Sequence, residues 1–234
     1  MTKMIDTVIN GQFKIILPEH RAERPDWYTE EGWEKARLQS ICSNTTKGDV
    51  MFYVGAEEGE MPALSQMWGA DVVLFEPNPK VWSNIKEIWK ANKLDDPITF
   101  QGFCSNETRI VDDSGQLQHG FPKCADLPIE AAHGFKELYL EAKNYNQIKI
   151  DDVTSIIPTQ MSIDVEGSEF EVLKGAEQTI IKHKPKIWLS LHPEFLFAQW
   201  NVYGTEVRNW IKDKGYKETL LDYKHEVHFY YEPI

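Results

Sequence analysis

Between Asp49 and Pro79 the chain changes character so regularly that few folds can hold it. Val50 to Val54 is a short apolar run, Gly55 and Gly59 bracket a turn, Met61 to Trp68 has helical length, and Val72 to Phe75 is a second apolar run stopped by Glu76-Pro77. Short apolar runs bounded by turn residues read as buried strands, so the succession is a βαβ unit. Glu76 follows the glycines by about 20 residues, where Rossmann-like folds place a carboxylate that accepts hydrogen bonds from both ribose hydroxyls. The stretch therefore predicts a nucleotide-type site in which glycines permit close backbone approach and the acid holds a sugar.

The flanking sequence extends this unit into a sheet. Upstream, residues 1–26 have no strong period apart from a short strand at Phe13 to Leu17. Thr29 can then cap a helix carrying Trp33, Ala36, Leu38 and Ile41. Residues 1–48 are thus expected to form an N-terminal cover and helix. Downstream, Val81, Ile85, Ile88, Trp89 and Asn92 lie at helical spacing within Lys80 to Lys93, and Ile98 to Phe103 reads as the third strand. Residues 105–145 interrupt the alternation with a Ser/Asn/Asp/Gly-rich stretch and a helix through Phe135, Leu138 and Ala142, which is expected to be an inserted flap controlling selectivity.

The alternation then resumes. Gln147 to Ile150 and Met161 to Val165 read as strands, Ser168 to Lys182 as a helix, Lys186 to Leu191 as a buried strand ending in His192-Pro193, and Thr205 as the cap of a helix through Trp210 to Lys214. Tyr216 to Leu221 and Val227 to Tyr231 predict a terminal antiparallel hairpin. The expected fold is α/β: one Rossmann-like domain over 1–234, with a mostly parallel sheet, helices on both faces and a C-terminal antiparallel hairpin.

Composition narrows the partners. A content of 41% hydrophobic and 26% charged residues suits a soluble globular chain, and no apolar run approaches the length of a membrane span. The N-terminus lacks an apolar signal-peptide core, and Cys42, Cys104 and Cys124 are too few and too scattered for a disulfide framework, so a cytoplasmic location is expected. The net charge of −12 opposes a nucleic-acid partner, whose phosphates are bound by Lys and Arg. A small or neutral acceptor is expected instead, with no membrane partner.

Four ordered motifs sharpen this picture: Val54-Gly55-Ala56-Glu57-Glu58-Gly59, Phe75-Glu76-Pro77-Asn78-Pro79, Ile163-Asp164-Val165-Glu166-Gly167-Ser168-Glu169 and Val172-Leu173-Lys174-Gly175-Ala176. With them the chain resembles the FkbM-type methyltransferases over about residues 49–193. The resemblance implies a class I methyltransferase fold, S-adenosylmethionine as cofactor, and transfer of a methyl group to oxygen, commonly a hydroxyl of a sugar or other natural product. It also implies that the cofactor is contacted by position 53, Gly55, Ala56, Glu57, Gly59, Glu76, Pro77 and Asn78, and by Phe103, Cys104 and Ser105 at the end of the third strand.

Tyr53 departs from that pattern, which carries Asp where the cofactor's ammonium is held. Tyr53 supplies no charge near neutral pH, and Glu57 or Glu58 is the available substitute. A catalytically silent binding protein on the same fold is therefore the alternative reading. An NAD-dependent dehydrogenase ranks below both, since it leaves the Ile163 to Glu169 motif unexplained.

For the base that deprotonates the acceptor, the candidates are polar groups at C-terminal strand ends: His192 first, then Asp164 and Glu166. His192 reads equally well as a strand-end hydrogen-bonding group, Glu166 as a helix cap, and Glu169 as helix surface. Asp151 and Asp152 have no visible set of converging partners, so no metal site is expected. Trp200 and Tyr203 read as core, with an acceptor pocket as the alternative. His119, His133, His225 and His228 receive no role.

Overall fold

The computed structural model describes residues 3–24, 32, 34–127, 144–223 and 226–234. The expected cap and first turn of the N-terminal helix (Thr29, Trp33), the helix through Phe135, Leu138 and Ala142, and His133 and His225 lie outside the described residues.

Five parallel strands form the centre of the sheet: β3 (Val50–Val54), β4 (Asp71–Phe75), β5 (Ile98–Phe100), β9 (Gln160–Ile163) and β10 (Lys186–Leu191). The full order is β11-β12-β10-β9-β3-β4-β5-β7, in which β7 is Gln118–His119, and β11 (Tyr216–Asp222) and β12 (Val227–Pro233) form the expected antiparallel hairpin against β10. From β3 the chain steps to β4 and β5 on one side, and later to β9 and β10 on the other. The order therefore reverses between β3 and β9, and ligands of open α/β sheets bind at such a reversal, outside the C-terminal strand ends.

Side-chain alternation divides the core in two, because successive strand residues point to opposite faces. Met51 and Tyr53 of β3 and Val72 and Leu74 of β4 join one cluster; Phe52, Val54, Val73 and Phe75 join the other. The first cluster is covered by α2 (Lys35–Asn44), α3 (Glu60–Met67) and α4 (Trp82–Ala91), which bury Leu38, Ile41, Leu64, Trp82, Ile85, Ile88 and Trp89. The second is covered by α5 (Glu169–Gly175), α6 (Glu177–His183), α7 (Pro193–Trp200) and α8 (Gly204–Asp213) through Val172, Leu173, Ile180, Leu196, Val207 and Ile211. Burying a large apolar side chain is worth about 1.5–3 kcal/mol, so these two helix layers carry much of the stability.

Several boundaries differ from the sequence expectation. The N-terminal cover is a hairpin of β1 (Met4–Ile9) and β2 (Phe13–Pro18), turned by Asn10 and Gly11, both with positive φ; a short helix, α1 (Glu19–Ala22), follows it. The third strand ends at Phe100, and β6 (Phe103–Cys104) instead pairs with β8 (Gln147–Ile148) in a separate two-stranded ladder. The expected flap is partly built into the sheet, since β7 (Gln118–His119) pairs antiparallel with β5. Asn146 ties the 111–115 loop down: its Oδ1 accepts from Val111 N at 2.8 Å and its Nδ2 donates to Asp112 at 2.8 Å.

The expected helix from Ser168 to Lys182 is two helices. Gly175 lies so close to Ser105 that a Cβ there would stand 1.9 Å from the Ser105 carbonyl oxygen, which fixes where α5 ends. The N-cap of α8 is Tyr203, whose backbone N–H donates to Glu206 at the third helical position at 2.9 Å, rather than Thr205. Trp200 and Tyr203 are exposed, so neither is core. No helix of the described residues is long and apolar enough to cross a membrane.

The N-terminal hairpin is docked by one side chain. Asn92, just after α4, accepts from Ile16 N at 2.9 Å and donates to Ile16 O at 2.8 Å, pairing with β2 as a strand would. Asn92→Ala leaves both part-buried backbone groups unsatisfied and should cost about 1–3 kcal/mol. Chemical denaturation measures the loss, and amide exchange should show the earliest opening in β1 and β2.

Candidate functional site

At the reversal point, backbone ladders continue past the strand ends: Gly55 N donates to Phe75 O at 3.0 Å and Asp164 N to Val54 O at 2.9 Å. Gly55 has φ +84°, and a Cβ on it would stand 1.8 Å from the Asp164 carbonyl oxygen. Only glycine lets these two strand ends meet. Gly59, with φ +96°, closes the turn and starts α3 against Ile85.

Glu76 lies beside this turn, almost wholly buried. Its Oε1 accepts from Asn78 N at 2.8 Å and its Oε2 from Glu57 N at 3.2 Å. Burial pushes its carboxyl up to about 8, although the backbone N–H groups of Asn78, Glu57 and Ala56 favour the charged form. Because the folded state then holds this proton more tightly than the unfolded chain does, its stabilising contribution is complete below the ordinary Glu range and is lost as pH rises through about 8. Two backbone donors leave acceptor capacity on the carboxylate, as a pair of ribose hydroxyls requires.

The remaining cofactor candidates divide into two groups. Ala56, Glu57, Pro77 and Asn78 stand around Glu76, and Asn78 turns the following loop by accepting from Lys80 N at 3.0 Å. Phe103, Cys104 and Ser105 belong to the β6–β8 ladder: Phe103 N donates to Asn146 O and Ser105 N to Ile148 O. Gly102, immediately before them, donates its N–H to Glu76 O at 3.2 Å. Cys104 is buried and its thiol is raised well above the ordinary range by burial, which makes it an inert packing group.

Tyr53 is committed to a contact beneath α3. Its hydroxyl lies 2.5 Å from Ser65 Oγ and donates to Met61 O beneath α3, and burial raises its pKa. A cavity of about 10 Å³ lies above it, lined by Glu34, Arg37, Gly55, Glu57, Glu60 and Asp164 among others. Of the two substitutes expected for the missing acid, Glu57 lines this cavity, whereas Glu58 accepts from Arg21 and Asn84 outside it. Burial, with the carboxylates of Asp164, Glu34 and Glu60 nearby, raises Glu57 well above the usual range. A larger cavity, of about 450 Å³, opens near Thr159 and Lys186 at the opposite ends of the strands, away from the reversal point.

Arg37 spans the site from α2. Its Nη1 donates to Asp164 Oδ2 at 2.6 Å and to Glu34 Oε2 at 2.7 Å, and its Nη2 donates to Ser162 Oγ at 2.8 Å. The sequence reading passed over Arg37 because a lone Arg in an amphipathic helix reads as solvated surface. Only the packing of α2 over the ends of β3 and β9 buries it.

His192 lies where β10 gives way to α7, its ring stacked on Phe195 at 5.9 Å. Nδ1 is 2.6 Å from Glu169 Oε1, which also accepts from Gly167 N at 2.9 Å. Glu169 is fully buried, so the expectation that it lies on the helix surface is wrong. The Glu166-Gly167 turn, with φ of 51° and 100°, places Glu169 at the first position of α5, facing inward. Nε2 faces three acids: Glu226 Oε2 at 3.0 Å, Glu166 Oε2 at 3.6 Å and Asp164 Oδ1 at 3.8 Å.

Burial disfavours a charged imidazole here, but Glu169 together with Glu226 and Asp164 outweighs it and holds the ring up to about 11. The groups that face Nε2 are all carboxylates. Burial, with Asp164, Glu226 and Glu169 adding to it, raises Glu166 above the ordinary range against the lowering effect of His192. His119 is exposed, His228 packs against Ser190 Oγ at 2.9 Å, and Asp151 accepts from the N–H groups of Gln178 and Thr179 near the start of α6.

Residues 49–218 match the Methyltransferase FkbM domain family. Among solved structures, the methyltransferase FkbM of Methylobacillus flagellatus KT aligns with TM-score 0.53 and 19% identity over 80% of this chain, which spans 43% of that protein. Precorrin 8W decarboxylase of Methanobacterium thermoautotrophicum aligns with TM-score 0.49 and 14% identity, covering 86% of this chain and 90% of its own. Trm5b of Pyrococcus abyssi aligns with TM-score 0.49 and 13% identity, covering 99% of this chain and 55% of its own. No curated protein sequence matches the chain significantly.

Arg37 should be the residue whose loss costs the site most. Arg37→Met leaves Asp164 and Glu34 buried without their cation, and removing one partner of a buried ion pair costs about 3–5 kcal/mol. Urea unfolding at neutral pH checks this, and Ser162→Ala, which removes a single hydrogen bond, should cost much less.

Proposed function

The chain belongs to the FkbM methyltransferase family, and we propose that it transfers the methyl group of S-adenosylmethionine to a hydroxyl of a small molecule of the sugar or natural-product kind. The observation that carries this reading is the juxtaposition at the sheet reversal. The Gly55 turn and Glu76 stand on one side, and carboxylates of raised proton affinity stand immediately across from them, beside Asp164.

The donor set suits the cofactor. Glu76 would take the ribose, with Pro77 and Asn78 shaping the loop around it. The bare Gly55-Ala56 backbone would admit close approach. Glu57, with Glu34 and Asp164, would supply the anionic partner for the ammonium that Tyr53 does not. Bound there, the cofactor contributes an electrophilic methyl group on a sulfonium. The protein's part is to hold the acceptor oxygen in line and to take its proton, and alignment of this kind supplies a large share of such rate enhancements. Glu166 is the proton acceptor, through the half-exposed carboxylate whose Oε2 faces His192. His192, fixed by Glu169, orients the acids around it. The net charge of −12 supports a small acceptor over a nucleic acid.

A silent binding protein remains the second reading, favoured by the commitment of Tyr53 to Ser65 and by the small volume enclosed between Glu34, Arg37 and Gly55. Thermal shift separates the two readings. Cofactor at about 100 times its Kd should stabilise the native state by roughly 2.7 kcal/mol, and no shift at millimolar cofactor supports the silent protein.

Two further outcomes follow from named residues. Ribose hydroxyls stabilise the ionised Glu76, so cofactor affinity should rise from pH 6 to about pH 8, by up to about tenfold per unit, with proton release on binding. Calorimetry in buffers of different ionisation enthalpy reads both effects, and Glu76→Gln should remove the pH dependence. Glu166→Gln should lower kcat by about 10²–10⁴-fold while cofactor affinity is retained.

A further inference from the structure

Three chain segments far apart in sequence bring one ligating atom each to the same point. Asp164 follows β9, His192 follows β10, and Glu226 precedes β12, and their ligating atoms all lie within 4.8 Å of one another. The edges from His192 Nε2, 3.0 Å to Glu226 Oε2 and 3.8 Å to Asp164 Oδ1, are close to the spacing of about 3.0–3.4 Å between ligands that each lie about 2.1 Å from a first-row divalent ion.

The state of the individual atoms points the same way. Glu226 Oε2 is inaccessible to solvent and, among the described residues, has no hydrogen-bond partner of good geometry, its nearest cationic neighbour being the imidazole at 3.0 Å. The His192 side chain is only 9% exposed, and its Nε2 is turned toward the carboxylates of Glu226, Glu166 and Asp164. Its Nδ1 is engaged by the Glu169 carboxylate, itself fixed by Gly167 N, which is the outer-shell contact that orients metal-ligating histidines. Arg37 occupies Oδ2 of Asp164, while Oδ1 faces His192. Charge adds to the case: among the described residues, Glu34, Asp164, Glu166, Glu169 and Glu226 gather around Arg37 and His192, with His228 close to Glu226.

We propose that Asp164, His192 and Glu226 form a binding site for a divalent first-row transition cation such as Mn²⁺ or Zn²⁺. One imidazole nitrogen with two carboxylate oxygens selects this class over Mg²⁺ and Ca²⁺, which prefer oxygen alone. Three protein ligands leave coordination positions open, and an acceptor hydroxyl held at one of them would give up its proton to Glu166 more readily. This use of the ion rests on the methyl-transfer reading; the binding of the ion does not.

The test is calorimetric titration of the chelator-treated full chain with Mn²⁺, and separately with Zn²⁺, in the absence of cofactor. One saturable site of micromolar affinity is expected, weakened at least about tenfold by Glu226→Gln and also by Asp164→Asn. Thermal melts confirm that each variant is folded, and cofactor affinity of Glu226→Gln should stay within about twofold of the parent. Absence of saturable binding below about 1 mM, or equal affinity in folded Glu226→Gln, overturns the site. Metal binding without any cofactor binding would instead overturn the methyl-transfer reading and leave the site standing.

Discussion

Everything at the functional end of this protein depends on the close approach of Gly55 to the Asp164 carbonyl. A side chain at position 55 would collide with that oxygen at 1.8 Å. Because the approach is possible, β3 and β9 stay hydrogen-bonded to their last residues, and the loops that follow them diverge from a common point. One loop leads through Glu57 into α3 and stands beside Glu76. The other leads through Asp164 and Glu166 to Glu169. Cofactor-type and acid-base groups are thus adjacent, although they come from opposite halves of the chain.

The second constraint is charge. Burying carboxylates is expensive unless cations or donors accompany them, and such a cluster persists only where the rest of the fold fixes it. Arg37 meets part of that need through Asp164, Glu34 and Ser162, and His192 meets part through Glu169. The remaining negative charge gathers where β9, β10 and the β11–β12 hairpin converge. The terminal hairpin is therefore more than an edge to the sheet, since it delivers Glu226 to the site.

The degree to which sequence reveals structure varied with how local the signal was. The βαβ unit, the strand ending in His192 and the terminal hairpin were legible because each has its own period and its own stop residues. The N-terminal hairpin carried a signal in Asn10-Gly11, the dipeptide that favours φ > 0 at both turn positions, although the surrounding strands show no clean alternation. The break at Gly175 was invisible, since its cause is contact with Ser105 from a distant loop. The departure of Phe103 from the main sheet likewise follows from pairing with residues more than forty positions later. In the site, Gly55, Glu76, Asp164, Glu166 and His192 were found by motif and strand-end position. Arg37, Glu169 and Glu226 were not, because nothing in their local sequence distinguishes an inward acid or base from a solvated one.

The sequence by itself determined the alternation of strands and helices, the glycines that bring backbones together and the acid at the end of the second core strand. These are properties of short segments, set by side-chain period and backbone freedom. Tertiary structure alone decided the charge state and partners of the polar groups. A carboxylate's proton affinity depends on solvent exclusion and on charges within a few ångströms, and those neighbours come from α2, from α5 and from the loop before β12. The fate of Tyr53 shows the division most plainly. Its place at the end of a strand is read directly from the chain, but the bond of its hydroxyl to Ser65, at the edge of the cavity it shares with Glu57, Asp164 and Arg37, exists only once α3 has packed over the sheet.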